Sequence, residues 1–358
     1  MKIHSHFFIL FASLILLTGV RGEASIFGDQ KELNVLFIGN SFTARHNLSG
    51  LVKEVLEEGQ PGLSVNVQAL TYGGQDLFRH WTYFFSHSFI EQQDLSDETL
   101  RDRIEKMERF QELETTPSEY SDYWQAVRAP EHEQPFSIVQ QRIGIALKRH
   151  QHLFNSRKHK WDVVVLQSWR DIVPEKDQGY SRYASKFAEL AAEQGAQVVL
   201  YMTAPFVQNA TPVDGPQLQN KVEMELQVVR NLARKIGATA VVPVPLAINN
   251  LQQGGTDLTF CYVNDFHPNQ TTAYLTANMF YTAFTKQRSE GLSFDTVTEN
   301  NSKGQPEGKD PDGGNATVVF EGETKMLLQQ AAYEAVMQFD QSLENEMPEK
   351  QSQQRTNP

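Results

Sequence analysis

Cysteine is nearly absent, with Cys261 the only one in 358 residues. No intramolecular disulfide can form and no cysteine cluster can hold zinc, so stability must come from burying apolar side chains. Flanked by Phe260 and Tyr262, Cys261 itself reads as a small packed hydrophobe. Long apolar runs are scarce too. The single one, Phe7 to Val20, lies behind Lys2 and ahead of the small residues Gly22 and Ala24. It is too short for a membrane span and has the layout of an export signal. Residues 1–24 are therefore expected to be a signal peptide. The mature chain is expected in the periplasm or outside the cell, without stable membrane insertion. Positive charge is also in short supply: 32 Lys and Arg stand against 44 Asp and Glu, a formal net charge of −12. That balance opposes polyanion binding over most of the surface, so nucleic acid is not an expected partner. No Gly-Lys-Ser/Thr run and no G-x-G-x-x-G follows an apolar strand, which removes the common phosphate cradles.

What the chain does have is alternation. Short Val/Leu/Ile-rich runs at 34–39, 63–70, 162–167, 197–203 and 239–244 are separated by segments with helical apolar spacing, among them 48–59, 180–195 and 221–237. Nearly continuous apolar strands with helices between them form parallel sheets covered on both faces. The expected fold class is α/β, a three-layer α/β/α sandwich with a parallel, flavodoxin-like central sheet of about five strands. One domain over 32–345 accounts for this pattern. The interval between the second and third strands is too long for one crossover helix, so an insertion is expected at about 85–135. Within it, residues 88–135 carry thirteen Asp or Glu and five Lys or Arg, the composition of a charged surface excursion more than of a lid. His150 and His152 lack the i,i+4 spacing of a metal pair and read as part of a solvated helix end. Residues 299–316, rich in Gly, Pro and charge, read as a flexible loop, and 346–358 as a polar tail.

Four polar features fall at the carboxyl ends of separate elements of this sheet, where open parallel sheets bind ligands. "GNSFT" turns the first strand into a helix at Ser41, which is either a nucleophile or an N-cap. "TYGGQDLFRHW" follows the second strand; Gly73 and Gly74 suit a tight turn or a backbone N–H aimed at an oxyanion. Gln167 ends the wholly apolar third strand and offers an amide donor or a strand cap. "VNDFHP" places Asn264 and Asp265 three and two residues before His267, with Pro268 rigidly leading into a helix.

In this combination the chain resembles the SGNH hydrolase superfamily, the GDSL-like esterases and lipases, over roughly residues 33–284. The resemblance implies an exported serine esterase working through an acyl-enzyme. Ser41 corresponds to its nucleophile and His267 to its general base. The oxyanion donors would be the backbone amide of Ser41, Gly73 or Gly74, and Gln167; no metal or other cofactor is implied. Two positions depart from the family pattern. Gln167 replaces an asparagine, and the position three before the histidine is Asn264, with Asp265 displaced by one residue. Asp265 or Asn264 would orient His267. The resemblance leaves the acyl and alcohol parts of the substrate open; export, acidity and the aromatic residues Trp81, Tyr83, Tyr123 and Trp124, which either stack on sugar faces or fill core, suit a small-molecule or saccharide ester, a carbohydrate O-acetyl ester among them. An alternative from another class is a catalytically weak or inactive SGNH-like protein that binds saccharides, which Asn264 would favour. Titration of His267 in its ordinary range, roughly pH 6 to 7, is the starting expectation.

Overall fold

Strand β1 (Glu32–Gly39) buries Leu33, Val35, Leu36, Phe37 and Ile38 in succession, because it is covered on both faces. It pairs in parallel with β2 (Ser64–Thr71) on one side and β3 (Val163–Gln167) on the other, from Glu32↔Ser64 to Gly39↔Thr71 and from Val35↔Val163 to Ile38↔Leu166. Strands β4 (Gln197–Met202) and β5 (Ala240–Pro243) complete a five-stranded parallel sheet of order β2-β1-β3-β4-β5. The computed structural model describes residues 25–345 apart from residue 29 and residues 128–134, 157–158, 175–177 and 205–215. The expected export signal at 1–24, the tail at 346–358 and the end of the insertion lie outside the described residues, as does the side chain of Trp124.

Right-handed crossovers carry the chain one way from β1 to β2 and the other way from β3 to β5, which puts their helices on opposite faces. On one face α2 (Leu48–Gly59) packs on α10 (Gln270–Thr285), and α10 on α11 (Gly322–Asn345). On the other, α3 (Leu77–Thr82) packs on α7 (Gly179–Glu193), and α7 on α8 (Pro216–Ile236). The result is a three-layer α/β/α sandwich. Reversal of strand order at β1 and β3 opens a crevice at their carboxyl ends, beside the four-residue helix α1 (Ser41–Ala44).

Between β2 and β3 the chain forms α3, then α4 (Asp97–Gln111), α5 (Ser118–Val127) and α6 (Phe136–Ser156). Only Leu100 and Met107 of α4 are buried, in keeping with its charge, and α4 lies along α6. The aromatic residues weighed as sugar platforms are mostly core instead: Tyr83 is buried with its ring edge-on to Phe110 and Phe136, and Tyr123 stacks on Phe78 at 4.0 Å. Trp81 is half-buried and stacked on His87. His150 also departs from expectation. It is buried, with Nδ1 on the Ala146 carbonyl and Nε2 near Ser88 Oγ at 3.0 Å, while His152 remains exposed. The stretch 299–316 is not a loose excursion either. Strands β6 (Thr296–Thr298) and β7 (Thr317–Val319) pair antiparallel at its base. Glu299 and Asp310 are buried, and Asp310 Oδ1 accepts from the amides of Asp312 and Gly314.

Three buried histidines give the fold a measurable acid response. Burial pushes His80 down to about 4, His87 to about 3 and His150 to about 4, from an ordinary 6.5. The unfolded chain therefore takes up these protons first, and stability is lost as the pH falls below 6.5 and stops falling on their account near the folded values. Thermal melts should show the melting temperature declining between pH 6.5 and about 4.5, before most carboxylates titrate. A flat melting temperature over that window would contradict the assignment.

Candidate active site

Asn40 occupies the N-cap of α1, its Oδ1 accepting from Phe42 N at 3.0 Å, so Ser41 is not the cap. Its hydroxyl is left for other use. Ser41 Oγ lies 2.8 Å from His267 Nε2, and His267 Nδ1 lies 2.7 Å from Asp265 Oδ1. With the ring proton on Nδ1 facing the carboxylate, Nε2 is free to accept from the serine. The Phe42 ring, 5.7 Å from the imidazole between centroids, packs beside it.

Of the two candidates for orienting His267, the structure brings only Asp265 to it. Asn264 is exposed, and its backbone amide donates to Asp312 Oδ1 at 2.8 Å while Val263 N donates to Oδ2 at 2.9 Å. A spacing of two works because Phe266 has φ +55°, a left-handed turn that brings Asp265 and His267 to the same side and leaves the Phe266 ring 72% exposed. Such backbone costs of order 1–3 kcal/mol and persists where surroundings over-determine it. Here Asp312 clamps the loop from one side, and Tyr262 N donates to the His267 carbonyl at 3.0 Å.

Asp265 is itself shared. The Arg45 guanidinium meets Oδ2, Lys303 Nζ meets Oδ1 at 2.5 Å, and the carboxylate is fully buried. Arg45 also reaches Glu299, Nη1 to Oε1 3.6 Å, and the Asn301 carbonyl at 3.3 Å. Burial pushes His267 down to about 4, with the cations Arg45 and Lys303 acting in the same direction and Glu299 opposing them. The ordinary histidine range therefore does not apply to this residue.

Gly73 and Gly74 line the cleft beside Ser41, and Gly74 has φ +72°, a conformation side chains disfavour. Among the described residues no protein acceptor takes the amides of Ser41, Gly73 or Gly74. The turn is held by Gln75 Nε2 on the Gly73 carbonyl at 3.0 Å and by Asp76, which caps α3 and pairs with the fully buried Arg79 at 2.9 Å. Arg79 in turn donates to Tyr120 of α5 at 3.0 Å, so the insertion braces the turn.

Gln167 is not placed as the expected oxyanion donor. Its Nε2 donates to Asn40 Oδ1 at 2.8 Å and to the Ser168 carbonyl at 3.1 Å, and its Oε1 accepts from Asn40 N and Thr43 Oγ1. It is 3% exposed, its donors are engaged, and it does not line the cleft. Reading the sequence also missed Arg45, Lys303, Asp312 and, beside the Gly73 turn, Arg142 of α6. Arg45 stands four residues after Ser41, a helical spacing that could have flagged it. Lys303 and Asp312 had no local signal, being in the polar 299–316 stretch. Among the described residues no group of three or more His, Cys, Asp or Glu is placed to hold a metal.

No protein-family model and no curated protein matches the chain. Among solved structures it is similar to a DUF4886 family protein from Bacteroides uniformis, with 14% identity over 86% of this chain and 95% of that one, TM-score 0.41. It is also similar to a protein from Slackia heliotrinireducens named as a candidate SGNH hydrolase, with 17% identity over 72% and 100% of the two chains, TM-score 0.35. A third is a gut microbial diltiazem-metabolizing enzyme, 11% identical over 73% and 48%, TM-score 0.36. At these identities and scores the likenesses carry no functional weight.

The charge pattern around His267 has a direct readout. In an NMR titration its imidazole should stay neutral down to about pH 4. Lys303→Ala, by removing a cation that disfavours the imidazolium, should move that midpoint upward. A wild-type midpoint at the ordinary 6.5 would contradict this environment.

Proposed function

We propose that the protein is a serine esterase of the SGNH type. The observation that carries the reading is the continuous contact Ser41 Oγ to His267 Nε2 to Asp265 Oδ1, 2.8 and 2.7 Å, beside three backbone amides that no described residue engages. Ser41 Oγ attacks the ester carbonyl carbon and its proton passes to His267 Nε2. The carbonyl oxygen becomes an oxyanion that accepts from the amides of Ser41 and of Gly74 or Gly73, each worth ~3 kcal/mol in the transition state. Collapse expels the alcohol, which takes the proton from His267 and leaves an acyl-serine. Water then attacks that ester and gives a proton to His267, and collapse breaks the bond to Oγ, which takes that proton back from His267 as the carboxylic acid leaves.

The cleft measures about 540 Å³ and mixes Arg45, Arg142 and Arg170 with Phe42, Phe266 and Ile138. That lining suits a small or saccharide ester, a carbohydrate O-acetyl ester included, better than a long acyl chain. Phe266 is an exposed ring at this cleft available to a sugar face, with Trp169 also lining it. An export signal over 1–24 would place this activity outside the cytoplasm. The non-catalytic alternative drew on Asn264, and the contact of His267 with Asp265 favours the enzyme.

A fluorophosphonate probe should label Ser41, located by peptide mapping. Ser41→Ala should lose the label and reduce hydrolysis of a short aryl ester by a factor on the order of 10⁴ or more. Asp265→Ala should lower kcat by roughly 10³ to 10⁴, whereas Asn264→Ala should change it by less than about threefold. Labelling of another serine, or equal losses at 264 and 265, would sink this reading.

A further inference from the structure

Arg142 of α6 lines the same cleft as Ser41 and His267. Its guanidinium stands over the glycine turn, Nη2 lying 3.4 Å from where a Cβ on Gly73 would be. Unlike Arg45, which is paired with Asp265 and Glu299, the half-buried Arg142 makes no ion pair or side-chain hydrogen bond with any described residue. Its Nη groups are open to the cleft, and a guanidinium is shaped to hold a carboxylate through two parallel N–H bonds.

The surrounding charge points the same way. Three arginines and one carboxylate line the cleft, Arg45, Arg142 and Arg170 against Asp265, in a chain whose formal net charge is −12. Lys303 adds a further cation on Asp265. Arg45 and Lys303 are taken up by Asp265 and Glu299, which leaves Arg142 as the cation to meet what enters the concave cleft. An uncharged ester would use none of this, and an acyl chain would have to desolvate it.

We infer that the ester hydrolysed here carries a carboxylate, which the guanidinium of Arg142 binds while Ser41 addresses the ester carbonyl. The inference rests on the esterase reading for its chemistry, but its binding half stands apart. Arg142 is then a specificity-determining residue, selecting anionic over neutral esters of the same shape.

A matched pair of probes separates the possibilities: meta-acetoxybenzoate, which carries a carboxylate, and meta-acetoxybenzamide, its neutral counterpart. Binding is measured by calorimetry on the Ser41→Ala protein and hydrolysis on the wild type, each also with Arg142→Gln or Arg142→Lys. The benzoate should bind at least about tenfold tighter and show the higher kcat/KM, mainly through KM, with the preference shrinking as salt is raised. Arg142→Gln should bring the benzoate-to-benzamide ratio close to one in both assays, and Arg142→Lys should retain part of it. Circular dichroism checks that each variant is folded. Equal affinity of the Ser41→Ala protein for the two probes would overturn the inference while leaving esterase activity untouched. Loss of kcat by the same factor on both esters in Arg142→Gln would also overturn it, making Arg142 a donor to the oxyanion instead. Discrimination in binding without hydrolysis of either ester by the wild type would uphold the anion site and sink the esterase reading.

Discussion

The side chain of Gln167 crosses from the end of β3 to the end of β1 and grips Asn40 by both its backbone amide and its carboxamide. This contact is possible only because residue 39 is glycine, since a Cβ there would overlap the Gln167 side chain. Its consequence is felt one residue later. Asn40, held in place, caps α1 and relieves Ser41 of the task a serine at a helix start usually performs. The hydroxyl is then free to meet His267 from the far side of the crevice. Both donors of Gln167 are thus spent on the loop that positions Ser41.

A second constraint is electrostatic. Asp265 faces the imidazole, but two cations already neutralise it, so the imidazolium gains less from it than from an unshared carboxylate. His267 accordingly holds its proton weakly. An imidazole that stays neutral at acid pH can still accept a proton there, at the cost of a smaller driving force for taking one. The network of Arg45, Glu299, Lys303 and Asp265 is therefore both the brace of the site and a restraint on its basicity.

Much of this was legible in the residues themselves. Five strands, their parallel pairing and the position of Ser41, Gly73, Gly74 and His267 at one sheet edge follow from local apolar runs and turn chemistry, which act over a few residues. What escaped depends on contacts between distant parts of the chain. Arg45 meets Asp265 across 220 positions, and Gln167 meets Asn40 across 127. The 299–316 stretch has the composition of a disordered loop, yet its Asp312 and Lys303 find partners at 263–265 that no window of sequence contains. Choosing between Asn264 and Asp265 required the φ of Phe266, a backbone state set by those same distant clamps.

A crystal structure of the phosphonylated protein tests the central claim most directly. The expected result is a bond from phosphorus to Ser41 Oγ, a phosphoryl oxygen within hydrogen-bond reach of the Ser41 amide and that of Gly73 or Gly74, and Gln167 still holding Asn40. A phosphoryl oxygen instead held by a Gln167 side chain that has let go of Asn40, or phosphorus attached elsewhere than Ser41, would contradict it.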